Sequence, residues 1–335
     1  MQKRNLIGVL ALTAWIGVPG LAEDKVDFRQ GAPSVSAVMG SLQIPKAAKS
    51  IAAPSAASPA FQRTYEVSGS DVRRAMGFRP NPNRHADYVS FTPVPGMASI
   101  ESVRASIPDT MDLRPRLTQI EDQGQCGSCW AFSLTATHRD GHALMGDDPG
   151  RLSQEWLIDN SKESDGCNGG DFDSANDFVT PGGQPLWRTC PYAQGAGQCP
   201  ANAHLAAHIK GWHMLGSASR GPSVRDIETY MAQNGKPLSI AVGAGAGDWM
   251  QYRSGVYNGC VANAQLDHMI NIVGWDNEGA KFDKNGNLPP GKGIWILRNS
   301  WGTSWGESGY MRTKMTDSKG TRCNNVAAEA AFFDF

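Results

Sequence analysis

Residues 123–133 read Gln123-Gly124-Gln125-Cys126-Gly127-Ser128-Cys129-Trp130-Ala131-Phe132-Ser133, the densest signal in the chain. A Cys-x-x-Cys can be half of a zinc site, a thioredoxin-type redox pair, or a reactive cysteine beside a structural one. Zinc needs a second ligand pair at suitable spacing, and the sequence holds no other Cys-x-x-Cys. His204 and His208 stand four apart, but Leu205 occupies the place where a zinc-peptidase helix needs Glu, so no metal is expected. A redox pair belongs after a strand in a small α/β unit, and the surroundings lack that pattern. The residues after Cys129 support the third option. From Trp130 to Leu144, helical spacing puts Phe132, Ala136 and Ala143 on one face, with Ala131 and Leu134 round the other side, as in a buried helix. Cys129 then stands at the helix N-terminus, where unpaired N–H groups and the dipole favour a thiolate.

The rest of the chain gives this segment its setting. The 335 residues hold 31 Lys+Arg against 32 Asp+Glu, with 40% hydrophobic residues. At roughly 150 residues per domain this means about two domains with a real core. The net charge of −1 argues against an overall electrostatic fit to nucleic acid or to an anionic membrane. All seven cysteines lie between residues 126 and 323, and complete pairing must leave one thiol over. Residues 1–22 read as a signal peptide: Lys3 and Arg4, then the apolar Leu6 to Val18, then Gly20-Leu21-Ala22. That run falls short of the ~20 residues needed to span a bilayer. Export is therefore expected, to a secreted, periplasmic or lysosome-like setting where disulfides persist. Residues 46–60 are Ala/Pro/Ser-rich and read as linker. Residues 23–107 carry 10 basic and 7 acidic residues, whereas residues 108–335 carry 19 and 25. A basic leader on an acidic body fits a masking segment held partly by charge, or a spacer.

With these motifs in view, a resemblance to the papain-like cysteine peptidases is plain. Gln123 to Ser133 resembles that family's active-site segment, and three further motifs come after it in the family's order. They are Cys167-Asn168-Gly169-Gly170, then Leu266-Asp267-His268, then Asn299-Ser300-Trp301-Gly302 with Trp305-Gly306 and Gly309-Tyr310. The resemblance runs from Pro108 to the C-terminus. It implies an α+β fold of two halves, a helical left domain and an antiparallel, β-barrel-like right domain, with the active-site cleft between them. It implies Cys129 as nucleophile, His268 as its proton partner, Asn299 orienting the imidazole, and Gln123 with the Cys129 N–H stabilising the oxyanion. Gly169 and Gly170 would let substrate backbone pair alongside. Phe172, Ala241, Leu266, Met269 and Ala328 would line the pocket for the side chain two residues before the cut, with Asp171 standing where relatives often carry an aromatic. Trp301 would cover the His268–Asn299 contact and counts among the residues at the substrate site. The resemblance also pairs Cys126 with Cys167 and Cys260 with Cys323. A local Cys190–Cys199 loop replaces a bridge lost at Asn160, and Cys129 is left over.

The implied activity is a cysteine endopeptidase made as a precursor, acting on polypeptides without a cofactor, and a monomer is expected. The rivals are an inactive binding protein on the same fold and a disulfide oxidoreductase using Cys126 and Cys129. Coarse reading places helices near 129–144, 153–160, 174–179 and 224–233, and strands at 238–242, 266–273, 293–297 and 309–313. Asp283-Lys284-Asn285-Gly286-Asn287 has its glycine in the wrong place for a calcium loop and reads as a hairpin tip. Residues 23–107 lack the helical signature common in family propeptides. They are expected to act as a shorter or different propeptide, removed near Ile107-Pro108.

Overall fold

The computed structural model describes residues 63–69, 73–84, 86–90 and 107–335. The stretches read as a signal peptide (1–22) and a linker (46–60) lie outside them. Four α-helices form where caps and apolar spacing coincide. Helix α1 (Cys129–Leu144) is almost wholly buried in its first two turns. Helix α2 (Gln154–Asn160) starts where the Ser153 hydroxyl accepts the Trp156 N–H. Helix α3 (Phe172–Val179) starts two residues before the expected 174 because Asp171 and Ser174 close a capping box ahead of it. Ser223 and Asp226 do the same for α4 (Val224–Asn234), which Gly235 ends in the left-handed conformation at φ 64°.

Three leader and entry strands come first: β1 (Tyr65–Val67), β2 (Tyr88–Val89) and β3 (Thr110–Asp112). The body adds a small β4–β5 ladder (Gln184–Pro185, Leu205–Ala207), then β6 (Gly211–Leu215), β7 (Leu238–Val242) and β8 (Tyr252–Tyr257). The strands β9 (His268–Asp276), β10 (Ile294–Arg298), β11 (Tyr310–Lys314) and β12 (Ala330–Asp334) complete it. The large sheet runs β1-β8-β11-β10-β9-β7-β12-β6-β2, with β3 also paired to β9. Among the described strands it is an open path rather than a closed barrel, and both of its ends are leader strands. Strands β9 and β10 pair antiparallel, and the loop between them turns at 283–287, where the Asp283 carboxylate accepts the Asn285 and Asn287 N–H groups. The calcium-like motif is thus a hairpin tip.

Eight of the nine residues of β9 are buried, so this strand reads as a nearly continuous apolar run rather than an alternation. One core lies on the β7–β11 side around Trp249, Trp275, Trp295 and Trp301. The second surrounds α1 and α3 and includes Trp130, Leu134, Phe172 and Met269. The expected helix-rich and strand-rich halves are both present. No described helix is long and apolar enough to cross a membrane.

Candidate active site

Helix α1 is bolted to the sheet by polar groups that a buried helix must satisfy internally. The Ser133 hydroxyl donates to the Ile270 carbonyl at 2.7 Å, and Asn271 Nδ2 reaches Ser133 O at 2.9 Å and Thr137 Oγ1 at 2.8 Å. These contacts seat the first turn of α1 against the start of β9. Cys129 opens the helix and His268 opens the strand. The Met269 backbone N–H is among the groups that favour the Cys129 thiolate.

His268 Nε2 lies 2.9 Å from Asn299 Oδ1, which also accepts the Ser300 N–H at 2.8 Å. An amide oxygen only accepts, so the imidazole carries its proton on Nε2 and leaves Nδ1 as the basic nitrogen. Nδ1 is buried without a hydrogen-bond partner. Trp301 is wholly buried and stacks on the His268 ring at 4.6 Å and 22°. Its indole covers the buried side of the imidazole next to the His268–Asn299 contact.

Gln123 Nε2 donates to Cys126 O at 3.0 Å, while the Ser300 hydroxyl donates to Gln123 Oε1 at 2.6 Å and holds the amide in one orientation. Tyr192, which the sequence reading passes over, donates from its hydroxyl to Gln123 O at 2.7 Å and meets Ser128 Oγ at 2.9 Å. It sits inside the Cys190–Cys199 loop, and that local loop was the available signal. The structure joins Cys126 to Cys167, Cys190 to Cys199 and Cys260 to Cys323, with Cys129 the free cysteine.

The leader lies across this site. Gly77 N–H donates to Cys129 Sγ at 3.2 Å, and Gln123 Nε2 donates to Ala75 O at 3.1 Å. Gly170 N–H donates to Gly77 O at 2.9 Å, Arg79 N–H to Gly170 O at 3.0 Å, and Phe78 N–H to Asp267 O at 3.0 Å. Residues 77–79 thus pair with Gly170 as a parallel bridge. Glycine is required at the crossing, because a Cβ on Gly77 would come 1.7 Å from Gly127 O, and one on Gly169 would meet Gly77 O at 2.7 Å. Phe78 is buried edge-on against Phe172, with ring centroids 5.7 Å apart, in a cluster with Ala241 and Met269. Leu266 packs partly buried against the same cluster.

Among the described residues, leader arginines meet acids of the body. Arg63 pairs with Asp248, Arg79 with Asp165, and Arg84 with Glu329 and Asp173. The charge split between leader and body is realised in these contacts. The first two are exposed and worth little, about 0–1 kcal/mol each. Beneath this cover the reacting groups are dry. Burial pushes the Cys129 thiol up to about 12, against the opposing pull of the Met269, Gly77 and Trp130 N–H groups. Burial also pushes the His268 imidazole down to about 4, against the Asn299 hydrogen bond. Both groups are neutral at pH 7 in this state.

The family model for papain family cysteine proteases matches residues 107–332. The chain belongs to the papain family. It is 33% identical over 265 residues to a vignain of Phaseolus vulgaris, an alignment covering 77% of this chain and 65% of that protein. It is 33% identical over 216 residues to cysteine proteinase B of Leishmania mexicana, covering 63% of this chain and 45% of that one. The chain thus spans about half to two thirds of those relatives' length. Among solved structures, a recombinant stem bromelain precursor superposes with a TM-score of 0.59 at 27% identity, covering 74% of this chain and 75% of that one. Around the Gly77–Phe78 segment the structure gathers residues from all four motifs: Cys129 and Gln123 touch it or its neighbour Ala75, Gly170 pairs with it, and His268 is tied to Asn299 next to Met269, whose N–H faces Cys129. Asp171 Oδ1 accepts the Ser174 N–H and hydroxyl at the α3 cap, and the Asp171 charge is among those that favour the charged form of Arg84.

Proposed function

We propose that this chain is the precursor of a secreted cysteine endopeptidase, in which Cys129, His268 and Asn299 cleave peptide bonds through an acyl-enzyme once the leader leaves the cleft. The observation that carries this reading is the peptide already lying across Cys129, paired main chain to main chain with Gly170. A groove that holds one extended peptide by backbone hydrogen bonds is suited to another.

The leader touches Cys129 Sγ through the Gly77 N–H, which donates to it at 3.2 Å. With the leader gone, water lowers the desolvation that keeps both groups neutral, and the Sγ proton can pass to His268 Nδ1. Sγ then forms a bond to the substrate carbonyl carbon, and the oxyanion accepts from Gln123 Nε2 and the Cys129 N–H. His268 Nδ1–H protonates the leaving amine as the C–N bond breaks. Water next attacks the thioester carbonyl, giving its proton to His268 and releasing Cys129. Asn299 keeps Nδ1 facing the reaction by holding the proton on Nε2.

Cleavage near Ile107-Pro108 would leave the body's start anchored, since Pro108 O accepts Trp275 Nε1 at 3.2 Å and β3 pairs with β9 just beyond it. Three disulfides support export to an oxidising compartment. The test is to remove the leader and treat the body with a peptidyl epoxide. One equivalent should alkylate Cys129 and abolish peptide hydrolysis, and Cys129→Ala should show neither. A released, folded body that neither labels nor hydrolyses peptides would overturn the reading.

A further inference from the structure

Against the segment that carries the oxyanion donors lies a loop closed by Cys190 and Cys199. Helix α2 and its cap hold this loop along its length. The Ser153 hydroxyl donates to Cys190 O at 2.6 Å, and Asp159 Oδ2 accepts the Cys199 N–H at 2.9 Å. Glu155 is 0% exposed, and its two oxygens accept the Ala193 and Gly197 N–H groups at 2.8 and 2.9 Å. Asn160, at the place of the lost bridge, donates from Nδ2 to Cys199 O at 3.2 Å.

The loop in turn meets residues 123–128 at three points. Gln194 Oε1 accepts the Gln125 N–H at 3.0 Å, Tyr192 Oη donates to Gln123 O at 2.7 Å, and the same Oη lies 2.9 Å from Ser128 Oγ. A phenol has one proton, so with that proton on Gln123 O the Ser128 hydroxyl donates to Tyr192 Oη; its other acceptor, Cys126 O, is farther off at 3.5 Å. The tyrosine ring stands edge-on to Phe132, with centroids 4.8 Å apart at 86°. Burial raises the phenol above the ordinary tyrosine value, so it stays a donor at neutral pH.

Gln123 and Ser128 are the residues that set the two oxyanion donors. Gln123 presents Nε2, and Ser128 supplies the carbonyl half of the peptide group that carries the Cys129 N–H. Ser300 grips Gln123 from one side: its carbonyl accepts the Gln123 N–H at 2.9 Å and its hydroxyl donates to Gln123 Oε1 at 2.6 Å. Tyr192 holds the carbonyl end of the same residue. Two donors aimed at one oxygen act together when their separation is fixed before the charge develops. We infer that Tyr192 is a positioning residue for the oxyanion site: its hydroxyl fixes the Gln123 amide relative to the Cys129 N–H, and the disulfide-closed 190–199 loop is the frame that keeps that hydroxyl in place. This inference rests on the peptidase reading and adds a residue to it.

Tyr192→Phe removes the hydroxyl and keeps the ring on Phe132. The body released from the full-length precursor is compared as wild type, Tyr192→Phe, Gln123→Ala and the double variant, each titrated with a peptidyl epoxide so that rates refer to active sites. On a peptidyl coumarin amide, Tyr192→Phe should lower kcat at least about fivefold, by less than Gln123→Ala does, with KM within about twofold. In the Gln123→Ala background the same change should cost at least about threefold less, because a residue that acts through another is not additive with it. Alkylation of Cys129 by iodoacetamide displaces iodide at a saturated carbon and builds no oxyanion, so its rate and pH profile should match wild type. A smaller kcat loss, an undiminished loss beside Gln123→Ala, or an equal slowing of alkylation overturns the inference and leaves the peptidase reading standing. A wild-type body that neither titrates nor hydrolyses peptides overturns both. If Tyr192→Phe yields no folded body, Ser128→Ala removes the donor on the other side of Tyr192 Oη and is judged by the same criteria.

Discussion

Phe78 is the leader residue whose removal should most directly uncover the nucleophile. Its ring is 5% exposed and packs on Phe172, whereas Cys129 beneath the same segment is 0% exposed. Burying a phenylalanine stabilises by about 1.5–3 kcal/mol, and an aromatic pair adds about 0.5–1.5 kcal/mol. A loss of about 2–3 kcal/mol from leader docking raises the fraction of molecules with an open cleft about 30- to 150-fold, at 1.4 kcal/mol per decade. When opening and closing are fast relative to alkylation, the labelling rate tracks that fraction. The assay uses the full chain carrying His268→Ala, which disables self-processing, and monitors iodoacetamide labelling of Cys129, the free thiol, by intact mass. Phe78→Ala should accelerate labelling about 30- to 150-fold over this parent. Gly77→Ala should also accelerate it, because the new Cβ would fall 1.7 Å from Gly127 O and the leader must lift. Arg79→Gln should change it less than fivefold, since its ion pair with Asp165 is exposed and worth about 0–1 kcal/mol. A Phe78→Ala rate within twofold of the parent, with unchanged melting, would refute leader docking as the barrier over Cys129.

Other expectations test the remaining parts of the site. In the released body, Gln123→Ala should lower kcat by about 10²–10³-fold with little change in KM, as loss of one oxyanion donor does; an unchanged kcat would remove Gln123 from the mechanism. Arg298 and Asp140 form a buried ion pair just ahead of Asn299, so Arg298→Met should cost about 3–5 kcal/mol in denaturant unfolding by leaving Asp140 unpaired. Burial pushes the Glu228 carboxyl up to about 8, against the hydrogen bond that Asn277 Nδ2 donates to its Oε2. Because the folded value lies above the unfolded one, the stability from this group is complete below pH ~4.5 and is lost as pH rises through about 8. Glu228→Gln should therefore be more stable than wild type at pH 8 and indistinguishable near pH 4, measured by urea unfolding; equal curves at both would show that the carboxyl is not held neutral.

The range of each interaction decided whether it was legible in the chain. Helix starts at Ser153 and Ser223 are set by capping groups within three residues, and the four motif segments could be read one by one. Asp171 shows the same local range, since Ser174 three residues on donates to its carboxylate and closes a cap. The strands β6, β8 and β12 had no isolated alternation to betray them. Each is defined by partners far along the chain, and β8 pairs partly with the leader. The Cys190–Cys199 loop marked the neighbourhood of Tyr192, but its partner Gln123 lies 69 residues away and is met only when the chain folds back.

The sequence by itself determined the chemistry available: one thiol left over from seven cysteines, a histidine and an asparagine in the right order, and a basic leader on an acidic body. Only the tertiary structure decided what those parts do to one another. It placed Gly77 on Cys129, Phe78 and Arg84 on two sides of Phe172, and a leader strand on each end of the large sheet. Residue types declare which bonds can be made. Which ones form depends on burial and on distances between residues tens to hundreds of positions apart, and these exist only in the folded chain.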